Sequence, residues 1–150
     1  MACPEDFCDV FEALQRAGAP YVVVGGVAVV LHGYHRSVPD LDIVVSSNAH
    51  DADVTMQALF MRGFVPSVPL PLSMVTVLRM FDPSSREVDV VVRAPVPFDQ
   101  LWPDSIKIPV GNTVARVASL SNLIRWKQMR SRPDDLQDIE RLGRITQASG

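Results

Sequence analysis

A strand that runs into two glycines and, thirteen residues later, reaches two aspartates one residue apart constrains this chain more than any other feature. Val22-Val23-Val24 reads as a buried strand, Gly25-Gly26 follows, and Val27-Ala28 opens an apolar stretch that ends at His32-Gly33. Glycines let backbone approach a ligand closely. Where they open a helix behind a strand, the unsatisfied N–H groups suit a phosphate; tight strand–helix packing explains the same pair. Neither the dinucleotide G-x-G-x-x-G nor the P-loop G-x-x-x-x-G-K-[S/T] is present, which argues against those two phosphate-binding folds.

Asp40-Leu41-Asp42 opens a second strand, and a period of two places both aspartates on one face with Leu41 and Ile43 on the other. Carboxylates that close raise each other's pKa unless a cation intervenes. Mg²⁺ takes oxygen ligands, commonly one or two carboxylates together with substrate phosphates. A loop whose acids pair with Arg36 produces the same local pattern. Arg36 and Ser37 precede Asp40, where they serve either to touch a phosphate or to neutralise the aspartates.

Asp89 interrupts Val88-Asp89-Val90-Val91-Val92, a run that otherwise reads as a central strand buried on both faces. A lone carboxylate there costs several kcal/mol unless it is paired, protonated or bound to metal. Arg86, Arg93 or an arginine from elsewhere would pair with it; a metal or general-base role is the alternative. Lys127 falls within the apolar stripe of Leu120, Leu123 and Ile124 on a helix. It must snorkel out or meet a negative group, either a bound triphosphate or Asp135 or Asp138.

Composition sets the frame. At 150 residues the chain is one domain's worth, 1–150, with 47% hydrophobic and 21% charged residues and a formal charge of −3. These values argue against disorder and against a strongly basic nucleic-acid binder. Cys3 and Cys8 lack metal-site spacing and read as free thiols in a reducing compartment. The longest apolar run, Tyr21 to Leu31, is too short to span a bilayer, and the acidic N-terminus is unlike a signal peptide, so the expected setting is cytoplasmic.

Hydrophobic spacing predicts helices over 5–18, 26–32, 47–62, 119–130 and 133–147. Strands are expected at 21–24, 41–46, 73–81 and 86–92, the last two a hairpin about the Asp82–Ser85 turn. A smaller hairpin is expected at 106–110 and 113–117 around Gly111-Asn112. The proline-bearing segment 64–72 reads as a loop or sheet edge and 94–103 as irregular. The expected class is α/β of the α+β type, a mixed sheet flanked by helices, with helices at the C-terminal end.

Taken in order, Gly25-Gly26-x-Ala28, His32-Gly33, Arg36, Asp40-Leu41-Asp42 and the later strand Asp89 resemble the DNA polymerase β-type nucleotidyltransferase superfamily. The finer similarity is to small nucleotidyltransferase-like proteins related to the AbiEii toxins. Their characteristic ending is echoed by Leu123-Ile124-Arg125-Trp126-Lys127 and by Arg132-Pro133-Asp134-Asp135-Leu136-Gln137-Asp138. The resemblance spans about residues 20–142. It departs at Pro39, where a polar residue is usual, and at Asp134, where the pattern has lysine.

The resemblance implies a polymerase β-like fold and transfer of an NMP from an NTP to an acceptor hydroxyl. Asp40, Asp42 and Asp89 would hold Mg²⁺ or Mn²⁺ and carry the catalysis. Gly25, Gly26, Arg36, Ser37, Lys127 and Asp135 would bind nucleotide and phosphate. An RNA end such as tRNA, a protein side chain or a small molecule all fit as acceptor, and a toxin–antitoxin setting with a cognate protein partner is consistent with the finer match. A catalytically silent partner-binding protein or a nucleotide sensor is the alternative, because Asp134 removes a cation.

Overall fold

The computed structural model describes residues 3–34, 36–130, 140, 143 and 144. A short 3₁₀ turn, Pro4–Phe7, leads into α1 (Cys8–Ala17), then β1 (Tyr21–Val24), α2 (Gly25–Leu31), β2 (Asp40–Val45) and α3 (Ala49–Met61). After these come β3 (Val65–Pro66), β4 (Val77–Phe81), β5 (Glu87–Val91), α4 (Phe98–Asp104), β6 (Ile106–Val110), β7 (Thr113–Val117) and α5 (Leu120–Arg130). The strands form one mixed sheet in the order β3-β4-β5-β2-β1-β7-β6. The central pair, β2 and β5, is parallel; β1 is antiparallel to β2 and parallel to β7. Parallel neighbours need a long crossover, here supplied by α3 and the β3–β4 segment.

Alternation along the central strands divides the sheet into two faces. Leu41, Ile43, Val88, Val90, Leu78 and Met80 are buried in one core with Phe7, Phe11 and Leu14 of the N-terminal helix and Leu59 of α3. Each such side chain contributes roughly 1.5–3 kcal/mol on burial. The other face carries Asp40, Asp42, Asp89 and Arg79, and it holds the candidate site. Asn48 caps α3, its Oδ1 accepting from the His50 and Asp51 amides at 2.9 and 3.4 Å. That cap starts α3 two residues later than the spacing predicts.

The expected segments 21–24, 106–110 and 113–117 coincide with observed strands. The first helix is split, because Pro4 begins a separate 3₁₀ turn before the α-helix. The expected 73–81 strand is shorter, since Leu72–Met74 forms a 3₁₀ turn. Segment 94–103, expected to be irregular, contains α4 instead. Pro97 precedes the first turn, where a missing N–H costs nothing. Leu101 is buried, Arg116 lies 4.4 Å over the Trp102 ring, and Asn122 of α5 donates to Gln100 O and Asp104 Oδ2. Tertiary contacts thus sustain a helix that three prolines disguise. The helix expected over 133–147, with Asp134, Asp135 and Asp138, lies outside the described residues apart from 140, 143 and 144.

The β1–α2 junction turns on Gly25, whose φ is +67°. A Cβ there would overlap Asp42 Oδ2 on the adjacent strand. Across the molecule, Arg86 ties the β4–β5 turn to α1. Its Nη1 and Nη2 donate to Asp9 at 2.8 and 3.0 Å, and its Nε donates to Asp82 at 2.8 Å. The guanidinium also covers the Phe64 ring. Arg86 holds the Asp9 carboxyl below its ordinary value. Burial pushes Asp82 up, but hydrogen bonds from Arg86 and Ser84 outweigh it and leave the group lowered.

Two outcomes are expected. Gly25→Ala loses roughly 1–2 kcal/mol to the left-handed backbone alone, and more as Asp42 is displaced, measured by urea unfolding. Arg86→Met loses about 1.5–3 kcal/mol at neutral pH, the worth of hydrogen bonds to charged groups. Because Asp9 and Asp82 have lowered pKa values when folded, their contribution is present above about pH 4 and is lost on acidification below it. The acid limb of the stability curve should therefore flatten in Arg86→Met.

Candidate active site

The parallel register of β2 and β5 sets Asp42 beside Asp89 and Asp40 beside Glu87. Antiparallel pairing adds Arg79 of β4 beside Asp89, and Val24 of β1 beside Asp42. Four acids thus occupy two adjacent rows on one face, on strands about 4.8 Å apart. Asp40, Asp42 and Asp89 each bring a carboxylate oxygen within 4.8 Å of the other two. Like charges directly opposed across strands destabilise a sheet. A cation at the point of convergence reverses that sign.

Arg79 supplies part of the compensation. Its Nε lies 3.2 Å from Glu87 Oε2 and 3.3 Å from Asp89 Oδ1. The arginine is 57% exposed in its side chain, so this pair is well solvated and weak. Asp89 itself is only 5% exposed. Burial, hydrogen bonding with Asp40 and the negative charge of Asp42 push its carboxyl up to about 8. The Arg79 contact leaves Asp89 raised. The donors are all hard carboxylate oxygens, which fits Mg²⁺ or Mn²⁺.

Around the acids lies a cleft of about 420 Å³ lined by Gly25, Asp42, Arg79, Asp89, Arg93 and Trp126, among others. Gly25 begins α2 immediately against Asp42, so a ligand held by the carboxylates meets the start of that helix. Gly26 has a different neighbour. A Cβ on it would come within 2.8 Å of Val38 Cγ1 and 3.1 Å of Arg36 Nη2. The second glycine therefore lets the Arg36 loop pack onto the helix start.

The remaining expected residues are distributed as follows. Arg36 lies 5.7 Å over the Tyr34 ring and, with Ser37, lines a separate cleft beside Val30 and Val110. Lys127 is 3% exposed on α5, next in sequence to the cleft-lining Trp126. Asp135 is outside the described residues. His32 Nε2 meets Ala118 O at 2.8 Å, a structural contact between α2 and the approach to α5. Sequence reasoning missed Arg79 and Glu87. The hairpin carried the signal: a turn at Asp82–Ser85 pairs Phe81 with Glu87 and hence Arg79 with Asp89.

No protein-family model matches the chain, and no curated protein matches it by sequence. Solved structures do match in fold. The lincosamide antibiotic adenylyltransferase LnuA, lincomycin-bound, aligns with a TM-score of 0.68 at 18% identity, over 94% of this chain and 96% of that one. ANT(2")-Ia in complex with adenylyl-2"-tobramycin aligns at 0.66 and 14% identity, over 95% of this chain and 86% of that one. An antigenic nucleotidyltransferase-like protein from Paracoccidioides brasiliensis aligns at 0.61 and 17%, over 92% and 74%. The chain has the nucleotidyltransferase fold, a mixed sheet flanked by helices, with three aspartates converging on one face of the sheet.

Proposed function

We propose that this chain is a nucleotidyltransferase that moves an NMP from an NTP to an acceptor hydroxyl, dependent on Mg²⁺ or Mn²⁺. The observation that carries this reading is the convergence of Asp40, Asp42 and Asp89 beside the glycine-opened start of α2. Asp40 and Asp42 would hold the cation, with Asp89 as third ligand. When bound, it would supply charge neutralisation at the phosphate oxygens of an in-line displacement. Backbone amides at Gly25 and Gly26 would take the phosphates, with Arg36, which lies against Gly26, and Ser37 of the neighbouring cleft as further phosphate contacts. Lys127 and Asp135 are assigned to the nucleotide on the motif alone.

The acceptor oxygen attacks the α-phosphorus and the bond to the bridging oxygen breaks, releasing pyrophosphate. Asp89 would either help hold a cation or draw the proton from the acceptor hydroxyl as it attacks. The rest of the acceleration comes from holding the two reactants in line. For the acceptor, fold relatives carrying lincomycin and adenylyl-tobramycin make a hydroxylated small molecule the first class to test. RNA ends and protein side chains follow, and a toxin–antitoxin role would require a protein partner.

Incubation with Mg²⁺, each α-³²P-labelled NTP and these acceptor classes should transfer label. Asp42→Ala should reduce transfer at least about a hundredfold, the scale for losing one preorganised electrostatic group. Nucleotide binding without transfer to any class would favour a sensor; no nucleotide binding would favour a silent partner-binding protein.

A second measurement follows protons. With Asp89 raised to about 8, the cation-free protein carries that proton at neutral pH. Mn²⁺ binding at pH 7 should therefore release close to one proton, read by calorimetry in buffers of different ionisation heat, and Asp89→Asn should abolish the release. The folded pKa lies above the unfolded one, so the contribution of Asp89 to stability without the cation is fully present below about pH 4 and is lost as pH rises through about 8. Asp89→Asn should remove that decline in thermal unfolding scans.

A further inference from the structure

On the opposite side of β5 from the carboxylates, a second cleft of about 430 Å³ opens between α3 and the proline-bearing segment 66–73. Its size falls within the range of small-molecule pockets, about 300–1,000 Å³. Three features keep it open. Ala49 and Ala52 present only methyl groups from α3 where larger side chains would fill the space. Pro66, Pro69 and Pro71 fix the backbone of the facing wall, which cannot readily collapse inward. Met56 on the same helix face is a flexible, polarisable side chain that adapts to an occupant.

The polar complement is small and one-sided. Asp53 stands exposed at the rim, one residue on from Ala52, and has no ion-pair partner among the described residues. Ser46, Ser47 and Ser73 add hydroxyls, and no cationic side chain lines the cleft among the described residues. Phe60, at the far end of the same helix face, is 49% exposed. An apolar trough with an unpaired carboxylate at one edge is complementary to an apolar body bearing a positive charge.

We propose that this cleft is a binding site for a small amphipathic cation, its apolar body on Ala52, Met56 and Leu72 and its ammonium group at Asp53. The site is separate from the nucleotidyl-transfer reading and stands or falls without it. It nevertheless adjoins the strands that carry the three aspartates, because Ser46 follows β2 and Val92 follows β5.

The test uses the ¹⁵N-labelled full chain and two probes of equal shape, 4-phenylbutylamine and neutral 4-phenylbutan-1-ol. Both should shift the amides of Ala52, Met56 and Leu72 saturably. Asp53→Asn should weaken the amine roughly two- to fivefold, the scale of an exposed charge pair, and leave the alcohol unchanged. Ala52→Phe should abolish binding of both while keeping a dispersed amide spectrum and a cooperative thermal unfolding transition, which shows that the variant is folded. Shifts outside this cleft, no saturable shift, or binding that survives Ala52→Phe would overturn the proposal. So would concentration-dependent shifts of the same amides without probe, which would mean that a second copy of the chain covers the cleft.

Discussion

The register between β2 and β5 is the constraint on which the structure depends. It places Asp42 opposite Asp89 and Asp40 opposite Glu87, an arrangement that electrostatics alone disfavours by roughly 0.2–1 kcal/mol per opposed pair. What enforces it is the other face. A slip by one residue would turn Leu41, Ile43, Val88 and Val90 out of the core and drive the acids in. Four such side chains are worth roughly 6–12 kcal/mol of burial. The apolar face thus holds the carboxylates together against their repulsion.

Neighbouring elements are fitted to that fixed row. Gly25 turns with positive φ directly over Asp42, where no side chain fits, and so brings the start of α2 to the carboxylates. Arg79 spans Asp89 and Glu87 from the adjacent strand and partly screens them. Asp89, deepest of the acids, absorbs the remaining imbalance by holding its proton to about pH 8. A divalent cation would replace that proton.

Much of this was readable from residue order. The Val22–Gly26 strand and glycines, the one-sided Asp40 and Asp42, and the anomaly of Asp89 in a valine run all follow from periodicity and the cost of a buried charge. Local rules failed where tertiary contacts decide. α4 was hidden because its prolines read as breakers, while Arg116 and Asn122 hold it from other elements. Arg79 drew no reading in the sequence, because only hairpin register sets it across from Asp89. Which arginine meets Asp89 was open in the sequence, and Arg86 turned out to serve Asp9 and Asp82 instead. The apolar cleft behind β5 is three-dimensional and left no linear motif.

The most direct measurement is anomalous diffraction from a crystal of the chain soaked with Mn²⁺ and a non-hydrolysable NTP analogue. The account predicts manganese coordinated by Asp40, Asp42 and Asp89, at distances close to the ~2.0–2.1 Å of Mg²⁺ sites, with the triphosphate against Gly25. Manganese elsewhere, with Arg79 still bridging Asp89 and Glu87 beneath an empty carboxylate row, would contradict it.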